Sequence, residues 1–372
     1  MTEADVEIPR TLADLTPRWF ESALTAGGLA GAVVADLAVT PVAEGEGFIG
    51  VLARLEPTYS SAPPGAPSSV VAKLPTTDPG GVALGMLLRL WEREGRFYTD
   101  LAPRLPVRTP RCWYSAGDPD TGAFALLLED LSALRLGDQV AGLTQPEVTA
   151  AVEWLARFHA ESWGREPEGL AWMPRVETDP MYQGLQPMLE AVWPVFVDRY
   201  GALAPDRVLG WIERLVPGFY GVLTARDLPP AIIHSDYRAD NMFFEVGGEG
   251  TGDVADVAVI DWQAAAVGQG LYDLAYLLGA SVAVDLRREA ERDLVERYRR
   301  GLETAGVSDL PGTGDFFDLY RKLMLTAASV IALLMGQLDL EVNPRGADLA
   351  RCIVERALHA AADLRVDEFV PA

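Results

Sequence analysis

The sequence predicts an α+β protein of two lobes, β-rich toward the N-terminus and mainly helical thereafter. Short β-branched or alternating segments (Val33–Val42, Val51–Tyr59, Val70–Leu74, Cys112–Ser115, Ala123–Leu128) crowd the first third of the chain, whereas from Gln145 onward apolar residues recur at helical spacing. A length of 372 residues exceeds one small core and suits a large two-lobed domain or two ordinary domains. LLLEDL at Leu126–Leu131 closes the last early strand, so the lobes are drawn at 1–130 and 131–372.

Each element has its own signal. Leu12–Gly27 carries Leu12, Leu15, Trp19 and Ala23 at helical spacing and ends at the Gly27-Gly28 stop. The next strands are separated by GEGFIG and by SSAPPGAPSS, a surface loop. A single long helix is expected from Gly81 to Leu101, then a hairpin around GDPDTG. Helical patterns follow at Pro146–Trp163, Tyr182–Tyr200, Asp206–Ala225, Leu271–Val284, Leu286–Ala305, Asp315–Leu338 and 351–364. The only strands expected among them are Met242–Val246 and Val257–Asp261, flanking GGEGTGD.

Composition narrows the function classes. With 54 acidic against 31 basic side chains, a net charge of -23 disfavours nucleic acid and anionic membranes as partners. Cys112 and Cys352 are too few for a disulfide framework and lack zinc-ligand spacing, which fits a reducing, cytoplasmic setting. MTEADVEIPR has no signal-peptide pattern. The longest apolar stretch, Leu323–Met335, falls short of the roughly 20 residues needed to cross a bilayer and reads as a buried helix.

The chemistry concentrates in IIHSDYRADN, Ile232–Asn241, and in VAVIDW, Val257–Trp262. Apolar strands there deliver two carboxylates and a carboxamide. Asp236 and Asn241 lie five residues apart, so one loop presents a base to a hydroxyl and an oxygen ligand to Mg²⁺, with Asp261 as the second metal ligand. His234 is read as a packing residue that fixes the loop rather than as the base, and His159 as a helix-packing residue. Arg238 has two open readings, neutralising a transferring phosphate or pairing with Asp240.

Gly45, Gly47 and Gly50 form G-x-G-x-x-G, open to reading as a plain hairpin turn or as a phosphate lid. VLARLEPTY follows as a strand rather than a helix, which favours the lid over dinucleotide binding. Lys73, one of two lysines against 29 arginines, suits a point charge aimed at phosphates; the alternative is an edge-strand lysine covering apolar surface. Leu84, Leu87, Leu88 and Trp91 define a stripe that continues to Glu94 and Tyr98, placing a carboxylate where Lys73 would be its partner. The alternative for Glu94 is a solvent pair with Arg93 or Arg96, and for Asp261 a turn or capping role.

In that order these residues resemble the aminoglycoside phosphotransferase and choline kinase superfamily, most of all its ecdysteroid-kinase-like branch, over nearly the whole chain. EGRFYTDLAPRLPVRTPRCW, ALLLEDL and GQGLYDLAYLL share this look. The resemblance implies a protein-kinase-like two-lobed fold, a phosphate loop at Gly45–Gly50, a Lys73–Glu94 pair, and a hinge at Leu128–Leu131 in which Glu129 and Leu131 face the nucleotide. It further implies Asp236 as catalytic base, Asn241 and Asp261 on Mg²⁺, and a structural Asp273. Ser235 stands where many relatives have glycine, and Trp262-Gln263 replaces the Phe-Gly of protein kinases. The helices between Trp163 and Leu228 would wall the acceptor, with Trp172, Tyr182 and Trp193 as candidates.

The expected activity is Mg²⁺-dependent transfer of the γ-phosphoryl group of ATP, or GTP, to a hydroxyl of a small molecule by a monomer or homodimer. Two other classes are weighed. A nucleotide-binding pseudokinase serving as sensor or scaffold is disfavoured because every catalytic residue type is present, and a dinucleotide-dependent oxidoreductase lacks the helix its glycine motif requires.

Overall fold

The early strands build one five-stranded antiparallel sheet, ordered β1 (Val33–Val42), β2 (Gly50–Ser61), β3 (Val70–Pro75), β5 (Ala123–Glu129) and β4 (Cys112–Asp118). The computed structural model describes residues 6–42, 50–165, 168–247, 253–338 and 344–370. They fall into two units: Met1–Leu105, Thr109–Ala133 and Ile260–Ala264 make the first, and Pro106–Arg108, Leu134–Val259 and Ala265–Ala372 the second.

In the first unit α1 (Pro17–Ala26) starts at Thr16, whose side chain accepts from the Trp19 amide at 3.2 Å. It buries Trp19, Phe20, Ala23 and Leu24 with one face of the sheet formed by β1 (Val33–Val42), β2 (Gly50–Ser61) and β3 (Val70–Pro75). The single helix expected over Gly81–Leu101 is instead broken into α2 (Pro79–Leu87) and α3 (Leu90–Arg96) where Arg89 takes φ 53°, and α3 runs on as a π-helical turn over Phe97–Leu101. Across the break Trp91 packs against Gly85, where a Cβ would lie 2.7 Å from its ring. The stripe therefore holds only in part. Trp91, Glu94 and Tyr98 are buried, whereas Leu84 and Leu87 are exposed. The expected hairpin is β4 (Cys112–Asp118) with β5 (Ala123–Glu129).

The second unit is mainly helical, with two small sheets. Its strands are β6 (Arg135–Leu136), β7 (Ala231–Ile233), β8 (Met242–Val246), β9 (Val254–Val259) and β10 (Ala266–Gly268), paired as β6-β8-β9 and β10-β7. Only β8 and β9 are expected from the residue pattern; the other three have two or three residues each, too short for a period to emerge. Helix α4 (Gln145–Ala160) opens with a capping box between Thr144 and Glu147. Next come α5 (Pro180–Gln183), α6 (Leu185–Tyr200), α7 (Val208–Leu215) and α8 (Phe219–Leu223), so the continuous helix expected over Asp206–Ala225 is interrupted at Val216–Gly218, where Pro217 cannot continue the ladder.

Every residue of α9 (Leu271–Ser281) is buried. Around it lie α10 (Val284–Thr304), α11 (Thr313–Gln337) and α12 (Pro344–Asp363). Helix α11 is long and apolar enough to span a membrane, yet 72% of its most apolar window is buried within the protein.

Candidate active site

Lys73 lies on β3, the central strand of its sheet, flanked in register by Leu52 and Leu126. Alternation turns Val70, Ala72 and Leu74 into the core with α1 and Lys73 to the other face. Its Nζ lies 2.7 Å from Glu94 Oε2 and 2.9 Å from Asp261 Oδ1. The edge-strand alternative is thereby removed. So is the solvent-pair alternative for Glu94, since Arg93 donates to the Leu88 carbonyl and Arg96 to Asp100.

Burial opposes the ammonium, but Asp261 and Glu94 outweigh it and hold Lys73 above the ordinary lysine value. Burial also pushes the Glu94 carboxyl up, against the pull of Lys73. One cation serves two carboxylates, of which Glu94 is the more deeply buried.

Gly50 opens β2 opposite Pro75 and leads into strand, which removes the structural prerequisite of dinucleotide binding. A Cβ there would meet the Leu74 carbonyl at 3.2 Å and Lys73 Cε at 3.3 Å, so glycine lets β2 pass close to the lysine. Gly45 and Gly47 lie outside the described residues. Asp261 takes φ 65°, a left-handed conformation that costs an ordinary residue about 1–2 kcal/mol. Its neighbour Trp262 is locked by packing, the indole stacking on the Phe97 ring at 3.7 Å and 6°.

Glu129 and Leu131 belong to the end of β5 and the turn beyond. Glu129 faces Val70 in register, and its carboxylate accepts from the Arg111 amide at 3.1 Å. Leu131 is buried, and between them Asp130 pairs with Arg54 at 2.9 Å and accepts from Ser69 at 2.6 Å.

In the second unit β7 delivers the loop His234–Asn241. Tyr237 and Ala239 are buried along it; Tyr237 stacks on Trp154 at 5.7 Å and donates to the Ala151 carbonyl at 2.9 Å. Asp236, Arg238 and Asp240 alternate with them. The Asp236 carboxylate accepts from Arg238 Nε at 3.2 Å and from Asn241 Nδ2 at 3.2 Å. Burial would raise its carboxyl, but Arg238, together with His234 and a hydrogen bond from the Tyr276 hydroxyl, outweighs this and holds it below the usual aspartate value. Arg238 also pairs with Asp240 at 3.2 Å, so both carboxylates claim it.

Asn241 Nδ2 donates to the Asp236 carbonyl as well, at 2.9 Å. Both amide protons are thus spent, leaving Oδ1 as the carboxamide atom for a cation. Among the described residues there is no cluster of three or more His, Cys, Asp or Glu that would hold a metal alone. A carboxamide oxygen and an aspartate carboxylate are each donor types taken by Mg²⁺, a hard cation that holds few protein oxygens and completes its shell with phosphates and water.

The scaffold behind the loop is polar and buried. Asp273 on α9 accepts from the His234 amide at 2.6 Å and the Ser235 amide at 2.9 Å, pinning Ser235 at φ 69°. His159 bridges Asp273 at 3.3 Å and the Tyr298 hydroxyl at 2.7 Å. His234 Nδ1 accepts from the Asp236 amide at 3.2 Å. Both histidines thus have the packing roles expected of them, whereas Tyr298 and Gln139 escape a reading of the sequence, which holds no local signal for either. Trp172, Tyr182 and Trp193 are all buried.

Solved structures share this fold over most of the chain. A choline kinase from Cryptosporidium parvum Iowa II superposes with a TM-score of 0.56 at 8% identity, covering 90% of this chain and 92% of that one. An aminoglycoside-phosphotransferase-like protein from Ralstonia eutropha JMP134 gives 0.52 at 16% identity, covering 92% and 97%. The GDP and kanamycin complex of an aminoglycoside phosphotransferase gives 0.51 at 15% identity, covering 90% and 94%. No curated protein matches the sequence. The fold is kinase-like, a β-rich N-terminal part followed by a mainly helical one. The phosphotransferase enzyme family (APH) matches residues 86–315, more than half of the chain, and the chain belongs to it.

Proposed function

We propose that the protein transfers the γ-phosphoryl group of ATP, or GTP, to a hydroxyl of a small molecule, with Mg²⁺ as cofactor. The observation that carries this reading is Lys73, a largely buried ammonium kept charged by Glu94 and Asp261. A cation so oriented suits phosphate oxygens. Glu94 orients Lys73, and Asp236, fixed by Arg238 and Asn241, accepts the proton of the attacking hydroxyl while that oxygen bonds to phosphorus and ADP leaves.

Bound to Asn241 and Asp261, Mg²⁺ would offset charge spreading over the phosphoryl oxygens. The Gly45–Gly50 loop and the Leu128–Leu131 hinge are assigned to the nucleotide, with the lobes divided at 1–130 and 131–372. EGRFYTDLAPRLPVRTPRCW and ALLLEDL support the ecdysteroid-kinase-like branch.

Acceptors in the proposed class run from antibiotics and sugars to amino and sterol-like alcohols. The test is a panel of such alcohols with ATP or GTP and Mg²⁺. One compound should gain the mass of a phosphate as ADP or GDP forms; nucleotide binding without any acceptor-dependent ADP or GDP release would favour the pseudokinase instead.

A further inference from the structure

Residues Gly137–Gly142, GDQVAG, run against the loop that carries Asp236 and Asn241 without belonging to it. The approach is close. Gly137 donates its amide to the Met242 carbonyl at 2.9 Å, and a Cβ on Gly137 would fall 2.3 Å from the Ala239 carbonyl oxygen. Two residues on, the side chain of Gln139 is buried, and all its polar atoms are engaged. Oε1 accepts from the Ala239 amide at 3.0 Å and from Ser281 Oγ at 2.9 Å, while Nε2 donates to the Ala280 carbonyl at 2.7 Å.

The backbone continues the grip. The Gln139 amide donates to Asp240 Oδ1 at 2.9 Å, Asp240 pairs with Arg238 at 3.2 Å, and Arg238 donates to Asp236 at 3.2 Å. From α12 the buried Arg356 donates to the carbonyls of Gln139 at 2.6 Å, Val140 at 2.8 Å and Ala280 at 3.2 Å. The C-terminal helix thereby holds the strap in place.

We infer that Gln139 is a positioning residue for phosphoryl transfer: by holding the Ala239–Asp240 segment it sets where Asp236 and Asn241 stand. This rests on the phosphotransfer reading proposed above. The residue type follows from the partners. Asparagine is one methylene too short to span them, glutamate has no donor for Ala280 and adds charge beside Asp240, and an apolar side chain strands buried polar groups.

The test is Gln139→Met, close in volume but without hydrogen bonds, in the full-length enzyme. Turnover, the nucleotide KM and deuterium uptake are measured with the acceptor found by the panel, or with water as a slow acceptor. Misplacing the loop should lower kcat about 10²-fold. The nucleotide KM should stay within about twofold, and uptake should rise in peptides covering Ser235–Met242 while α11 stays protected. A folded Gln139→Met with wild-type kcat, or with unchanged uptake in that loop, overturns the inference.

Should Gln139→Met fail to fold, Ser281→Ala removes one of the two hydroxyl and amide donors to Gln139 and must move kcat and uptake in the same direction. Wild-type protein that transfers phosphate to nothing sinks the kinase reading instead. In that case uptake in Ser235–Met242 decides alone whether Gln139 clamps the loop.

Discussion

In the first unit a largely buried cation, Lys73, is held by two carboxylates; in the second a carboxylate, Asp236, is held by donors that include Arg238, Asn241 and the Tyr276 hydroxyl. The two centres are electrostatic inverses with opposite consequences. Glu94, almost wholly buried, is pushed up by burial, whereas Asp236, about a quarter exposed, is drawn down because Arg238, His234 and the Tyr276 hydroxyl together outweigh burial. Burial alone therefore does not tell which carboxylate is ready to accept a proton. A neighbouring cation alone does not either, since Glu94 is pushed up with Lys73 2.7 Å away.

The hardest way to break this comparison is to remove the carboxylate proposed to accept the proton. Asp236→Asn should leave nucleotide affinity nearly intact and lower turnover by about 10²–10⁴-fold, the range for losing a general base. Steady-state kinetics at saturating acceptor check it; unchanged turnover would assign the base elsewhere. On the cation side Asp261→Ala should instead abolish the Mg²⁺ dependence of nucleotide binding, read by calorimetry with and without the metal. Binding that keeps its metal dependence would take Asp261 off the ion.

The opposite shifts make a finer test. Glu94 is raised from 4.5 to about 7, so its ionisation costs stability as pH climbs through that window. Asp236 lies below its ordinary 3.8, so its contribution is complete above that value and is lost only as pH falls through the lower one. Between about pH 4.5 and 7, the melting temperature of Glu94→Gln relative to wild type should climb with pH, whereas that of Asp236→Asn should stay level. Parallel profiles would erase the distinction.

The smallest effect concerns backbone strain, which both centres contain. Ser235 at φ 69° and Asp261 at φ 65° are both left-handed, but only Ser235 is free of a proposed chemical role. Ser235→Gly should raise stability by about 0.5–1 kcal/mol in denaturant unfolding, relief of strain being partly offset by the freedom of glycine in the unfolded chain. A loss of stability would mean the serine hydroxyl contributes more than its conformation costs.

Much of the site is legible from residue order. His234, Asp236 and Asn241 sit within one eight-residue loop, and Lys73 stands out because arginine fills nearly every other basic position. Glu94 is reached through the stripe it shares with Trp91 and Tyr98, even though that stripe fails at Leu84 and Leu87. The failure is physical: a period describes one straight helix, and the left-handed turn at Arg89 ends it.

The sequence by itself determined which chemical groups are present and how a single loop spaces them, because spacing within a few residues is set by backbone geometry. It also determined the division between strand-forming and helix-forming stretches, since the side-chain periods differ. Tertiary structure alone decided that Glu94 and Asp261 share Lys73, that Ile260–Ala264 joins the first unit, that Gln139 braces a loop 100 residues further on, and that Arg356 holds Gln139. Hydrogen bonds between residues so far apart leave no period in the chain, and a buried amide finds its acceptor only after the surrounding core has closed.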